Sequence, residues 1–137
     1  MFNLERTYIK DISFESPFAS HANPLGNSSR FDADFQSNVT NIEENRYEVC
    51  LTLTGKGINS DNENVVYLIE VAQAGIFLKE GDIEDEILRK ITLSDCPTIL
   101  FPYLREAVDL IFVKSGFPPL GFARIDFKTA FLQTQSS

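Results

Sequence analysis

The chain has no tryptophan, one histidine, one methionine and two cysteines among 137 residues. Cys50 and Cys96 are too few for a disulfide framework, and no CxxC pair marks a redox or zinc motif. His21 is the lone imidazole and stands far from both thiols in sequence, so no metal-ligand cluster is expected. Gly55-Lys56-Gly57 lacks the spacing of a phosphate loop, GxxxxGK followed by Ser or Thr. ATP use is therefore not expected, nor is any other cofactor. Cations are scarce: 12 Lys plus Arg face 20 Asp plus Glu, for a net charge of −8. Nucleic acids and anionic membranes draw on clustered cations, so neither is an expected partner. A basic protein partner suits the balance better. No apolar run approaches the ~18 residues of a spanning helix, so direct membrane insertion is not expected. The opening, Met1-Phe2-Asn3-Leu4-Glu5-Arg6, has neither the basic start nor the apolar stretch of a signal peptide. The expected compartment is the cytosol, with both thiols reduced.

What is present is a core. Apolar residues make up 43% and charged residues 23%, the balance of one globular domain. A chain of 15.5 kDa folds to roughly 7,000 Å² of surface from about 22,000 Å² extended, so it needs no disulfide or metal. Aromatics are biased, with twelve Phe and four Tyr.

Arg6 to Glu15 alternates, with Tyr8, Lys10, Ile12 and Phe14 on one face and Asp11, Ser13 and Glu15 on the other, which predicts a strand. Ser16 to Arg30, with two Pro, a Gly and many small polar residues, predicts a long loop. Loops of about fifteen residues in compact domains are often functional. Phe31 to Thr40 and Tyr47 to Thr54 alternate as strands around a turn at Glu43 to Arg46. Gly55 to Asn64 reads as polar turn, and Val65 to Phe77 as a long strand apolar on both faces.

The period then changes. Gly81 to Lys90 places acids first and bases last, as a short helix would. Leu93-Ser94 should break it, Asp95 should cap, and Pro97 suits the first turn of a second helix from about Cys96 to Lys114. Pro102 either marks a later start or kinks this helix. Leu100, Tyr103, Leu104, Ala107 and Ile111 form one apolar stripe; Phe101, Val108 and Phe112 widen it. That is more than a helix on a single sheet needs, so an oligomer is expected with this helix at the interface, through Tyr103, Leu104, Ala107, Val108 and Ile111. Ser115 to Arg124 should be a loop, Phe127 to Gln133 a last short helix capped by Asp126, and 133–137 a short disordered end after a single domain at 1–132. The fold class is α+β: a four-stranded antiparallel sheet with helices packed on one face.

Catalysis is not written in the residues. His21 sits in a Pro-rich loop without a partnered nucleophile, and Glu80 to Glu86 suits a solvated helix start better than a cation site. No enzyme activity is expected; a small-molecule enzyme using His21 or Cys96 is the least favoured class. The aromatics say more. Phe18, Phe77, Phe117, Phe122, Phe127 and Phe131 fall in loops, at a strand end or in the terminal helix, and Phe101 joins them from the long helix. Together they suggest an apolar groove for exposed hydrophobic chain.

Four blocks in order resemble the SecB family of protein-export chaperones. They are Tyr8-Ile9-Lys10-Asp11-Ile12-Ser13-Phe14-Glu15-Ser16-Pro17; Glu70-Val71-Ala72-Gln73-Ala74-Gly75-Ile76-Phe77; Cys96-Pro97-Thr98-Ile99-Leu100-Phe101-Pro102-Tyr103-Leu104-Arg105-Glu106; and Phe117-Pro118-Pro119-Leu120 followed by Phe127 and Phe131. The resemblance implies a homotetramer, a dimer of dimers with the main helices between two sheets, in the bacterial cytoplasm. It implies ATP-independent binding of unfolded preproteins and their delivery to the translocase motor ATPase. It maps the client groove between the long loop, with Phe18, and the last helix, with Phe127 and Phe131. It maps the motor surface to Asp11, Glu15, Leu68 and Glu70. Four departures stand out: Phe18 where a small residue or Asn is usual, Ala74-Gly75 in place of paired glycines, the loop glycine one place later at Gly116, and no acidic tail before Ser137. The alternative role that the resemblance carries is a SecB-like chaperone dedicated to a toxin–antitoxin system.

Overall fold

The computed structural model describes residues 2–118. Four antiparallel strands run β1 (Phe2–Glu15), β2 (Ser29–Glu43), β3 (Arg46–Asn59) and β4 (Val65–Lys79) and lie side by side in the order β1-β4-β3-β2. A short helix, α1 (Asp85–Lys90), leads through a widened π-helical turn, Ile91–Asp95, into the long helix α2 (Cys96–Lys114) on one face of the sheet. The α+β reading therefore holds as one sheet with one long helix packed on it. The last predicted helix, the 133–137 end and Phe122, Phe127 and Phe131 lie outside the described residues.

Each strand is longer than its alternation predicts. Gly55 to Asn59 continues β3 rather than turning, because Gly55, Gly57 and Ile58 are paired to β4 on one side and to β2 on the other. β1 differs more. Its pairing with β4 shifts between Leu4 and Arg6 and again between Ile9 and Asp11. Each bulge adds a residue and reverses the alternation. Phe14, opposite Ile69, packs against the core beneath α2, whereas Tyr8, opposite Ala74, packs on the other face. The predicted common face of Tyr8 and Phe14 is thus corrected by the second bulge. Asp11, Ser13 and Glu15 do share a face, as their spacing predicts.

The core lies between β3, β4 and α2. Val49, Leu51, Leu53, Tyr67, Ile69, Val71 and Phe77 meet Leu100, Leu104, Val108 and Phe112. Gly75 lets the helix approach: a Cβ there would stand 2.7 Å from Leu100 Cδ2. Glu44-Asn45 turns β2 into β3, with Asn45 at φ 67°, a conformation that asparagine tolerates.

The predicted break at Leu93-Ser94 does not occur, and Asp95 is not a cap; its φ and ψ of −66° and −44° are helical and its side chain caps nothing. Pro97 cannot donate and its ring crowds the carbonyl four residues back, so a widened turn just before it carries the chain through. Pro102 neither delays nor ends α2, which begins at Cys96 and continues to Lys114. The C-terminus is closed by a left-handed Gly116, φ 83°: its N–H donates to Val113 O (3.3 Å) and that of Phe117 to Phe112 O (2.8 Å). This paired closure folds the chain back over the last turn.

Candidate functional site

The open face of the sheet is built by strand parity. Asp11 and Glu15 in β1 lie opposite Ala72 and Leu68 in β4, and Ser13 lies opposite Glu70. All four residues matched to the motor surface are exposed, Leu68 by 44%, and they occupy neighbouring strands of one face. Thr54 on β3 donates to Glu70 Oε1 (3.2 Å), which steadies that carboxylate. Asp34 lies opposite Thr54, and Asp32 opposite Lys56, so acids continue across to β2. The result is a leucine ringed by carboxylates, with Lys56 paired to it from β3.

Toward the other end the face changes character. Cys50, Ala72 and Ala74 form a small-residue floor, with Tyr8 packed on it. The Tyr8 hydroxyl donates to Glu48 Oε2, and Lys10 Nζ reaches Glu48 Oε1 at 2.6 Å. Arg6 lies over the Tyr8 ring, 5.0 Å from its centre. Lys10, and then Tyr8, hold the Glu48 carboxyl below the ordinary carboxylate range. Burial, reinforced by Glu48, pushes the Tyr8 hydroxyl up to about 12. Sequence reading missed this cluster because the bulge puts Tyr8 on the face that its parity denies. Glu48 was recoverable: it alternates with Cys50 and Thr52 on the outward side of β3.

The rings predicted to line a groove divide. Phe18 is half-buried in the long loop, its ring edge-on to His21 at 5.2 Å. Phe77 is fully buried beneath α2, because odd positions of β4 face the helix. Phe101 is buried and its ring lies 6.1 Å from Phe35. Phe117 is buried against Phe14 and Tyr67, where the Gly116 closure has returned it. Those three belong to the core of the chain rather than to an open loop surface; Phe122, Phe127 and Phe131 are outside the described residues.

The interface set divides as well. Leu104 and Val108 face the sheet and are buried within the chain, and Ala107 and Ile111 are partly buried beside them. Tyr103 is on the opposite side, 44% exposed. There it joins Ile99, Leu110 (57%) and Val113 (59%) in a second apolar stripe at helical spacing. Pro102, Arg105, Glu106, Asp109, Leu110 and Val113 line a shallow groove of about 560 Å³ along it. The helix is thus apolar on two sides, and its own sheet covers one.

The catalytic candidates separate chemically. Cys96 is 1% exposed, and burial pushes its thiol up to about 12, so it stays protonated and unreactive at neutral pH. His21 is exposed in the loop against Phe18. Among the described residues no group of His, Cys, Asp and Glu is arranged to hold a metal, and no helix is long and apolar enough to cross a membrane.

The sheet thus presents one solvated, largely acidic face, and the long helix is apolar on two sides, one of them covered by that sheet. Comparison with known proteins identifies the family. Residues 1–137 match the family described as "Preprotein translocase subunit SecB". The chain is 39% identical over 132 residues to the protein-export protein SecB of Marinobacter nauticus, covering 96% of this chain and 78% of that one. It is 35% identical over 137 residues to that of Neisseria gonorrhoeae, covering 100% and 92%. Among solved structures, the Mycobacterium tuberculosis Rv1957 SecB-like chaperone, in complex with a ChAD peptide from the Rv1956 HigA1 antitoxin, superposes with a TM-score of 0.74 at 17% identity, over 90% of each chain. The chain belongs to the SecB family and is a protein-export chaperone, not an enzyme.

Proposed function

We propose that the chain assembles as a homotetramer, a dimer of dimers, in the bacterial cytoplasm, holds unfolded preproteins without ATP and delivers them to the translocase motor ATPase. The observation that carries the assembly is the uncovered stripe of α2, Ile99, Tyr103, Leu110 and Val113. A second copy is its natural cover, since fully burying such a side chain is worth about 1.5–3 kcal/mol. β1 supports this: among the described residues it is an edge strand of the sheet, and Ile9 and Ile12 are exposed along it. The acidic face around Leu68 supports a docking surface for the motor through Asp11, Glu15, Leu68 and Glu70. Phe18, with Phe127 and Phe131, is the proposed client wall. The single domain ends near residue 132 in this reading.

A holdase binds the unfolded state and keeps a client from folding by mass action. The purified protein is expected to suppress aggregation of a denatured preprotein without nucleotide. Phe127→Ser and Phe131→Ser are expected to weaken suppression; normal suppression by both would reject the client wall. A pull-down against the motor, with and without unfolded preprotein, tests delivery. The export role is favoured over a toxin–antitoxin role because the 35–39% identical relatives are protein-export proteins, whereas the antitoxin-bound neighbour shares 17%. One dominant co-purifying antitoxin would reverse that preference.

A further inference from the structure

The loop between β1 and β2 is held differently in its two halves. Its first half is knit by its own turns: Ala19 N–H donates to Ser16 O (3.2 Å) and His21 N–H to Phe18 O (3.0 Å). The second half is fastened to the turn between β3 and β4. Asn59, 7% exposed, donates from Nδ2 to Pro24 O at 3.3 Å, while its Oδ1 accepts from Asp61 N–H at 2.9 Å. Ser60 N–H donates to Ser28 O (2.9 Å) and Asn27 N–H to Asp61 Oδ2 (3.4 Å). Arg30 grips Glu63 with both terminal nitrogens, at 3.0 and 2.9 Å. Leu25 packs against the core, and Gly26, at φ 70°, lies so close that a Cβ would stand 2.6 Å from Asn59 Nδ2.

The fastened half shortens the free arch. With Glu15 fixed in the sheet and Pro24 fixed on Asn59, the arch carrying Phe18 runs from Ser16 to Asn23. Released from Asn59, it would run on toward the Leu25 and Asn27 anchors and would have to be ordered again each time a ligand used it. We propose that Asn59 is a positioning residue for client binding: by holding Pro24 from the facing hairpin, at the point where the free arch meets the fastened segment, it fixes where Phe18 stands. This rests on the loop being a wall of the client groove.

The probe is a permanently unfolded polypeptide, reduced and carboxymethylated lactalbumin. Asn59→Asp keeps the acceptor for Asp61 N–H but replaces the donor to Pro24 O. Gly26→Ala pushes Asn59 aside by a different route, and Phe18→Ser reports on the wall itself. Fluorescence anisotropy measures affinity, and hydrogen exchange follows backbone amides in the loop and strands. Asn59→Asp and Gly26→Ala are expected to weaken binding about fivefold, chiefly through faster dissociation, with faster exchange confined to the loop. If Phe18→Ser weakens binding while the two clamp variants loosen the loop and keep wild-type affinity, the clamp proposal is overturned and the wall stands. If Phe18→Ser leaves affinity unchanged, the wall falls and the proposal with it. Exchange raised equally throughout β3 and β4 would also overturn it, as the signature of general destabilisation.

Discussion

The two faces of the sheet are made from the same strands and read in opposite ways. Beneath α2, alternate residues are large and fully buried, among them Phe77, Leu51, Leu53 and Val71, and they meet Phe112, Leu100 and Leu104. On the open side the floor is Cys50, Ala72 and Ala74, and the rim is carboxylate and leucine. One face spends its side chains on cohesion; the other keeps them shallow, wet and available. A shallow face loses little by mutation of its own chain, so its sequence is free to be shaped by what touches it.

Substitutions should separate the two. The largest effect is expected on the covered side. Phe112, fully buried against Tyr67 with ring centres 5.0 Å apart, becomes a cavity in Phe112→Ala. Urea unfolding should show a loss of about 3–5 kcal/mol. On the outer side of α2, Leu110→Asp with Val113→Asp should leave the fold intact and shift sedimentation at micromolar concentration toward smaller species. The dissociation constant should rise at least about tenfold, since each side chain contributes about 1.5–3 kcal/mol when fully buried. Unchanged sedimentation would remove that face from the interface.

On the open face, Asp11→Lys should weaken motor binding about tenfold, or 1.4 kcal/mol, and move urea stability by less than about 0.5 kcal/mol. Client affinity should be unchanged. The smallest effect concerns Glu48. Its carboxyl lies below the ordinary value of 4.5 in the folded chain, held by Lys10 and Tyr8. Its contribution is therefore complete above the unfolded value and disappears as pH falls through the lower folded one. Glu48→Gln should cost about 1 kcal/mol at pH 7. The gap to the wild type should narrow as urea midpoints are followed from pH 5 down to pH 3.

Much of this architecture was legible in the residues. Alternation located β1, β2 and β3, a run apolar on both faces located β4, and the acid-to-base order of Gly81 to Lys90 located the short helix, which begins at Asp85. The shared face of Asp11 and Glu15, and of Leu68 and Glu70, needed only parity. What escaped was set by distant partners. The bulges in β1 depend on β4, and no local pattern at Ile9 or Lys10 announces them. Phe117 reads as a loop residue until Gly116 folds it over Phe112. The widened turn before Pro97 keeps helical dihedrals where a capping residue was expected. On α2 the apolar residues were recognised, but one long sequence with greasy positions all round does not say which side its own sheet takes. Leu104 and Val108 went inward and Tyr103 outward. Asn59 has no motif at all; only the return of the Pro24 segment gives it a partner.

The bulge at Ile9 and Asp11 has a consequence for length variation in the first strand. In a regular strand, losing one residue exchanges inside and outside for everything beyond it. Here Ile9 already lies opposite Gln73 and Asp11 opposite Ala72, consecutive positions of β4. A chain lacking Lys10 would join those neighbours directly, and both flanks would keep their orientation. The strand is therefore phased to survive a one-codon deletion at that point, at the expense of the cation that Glu48 holds.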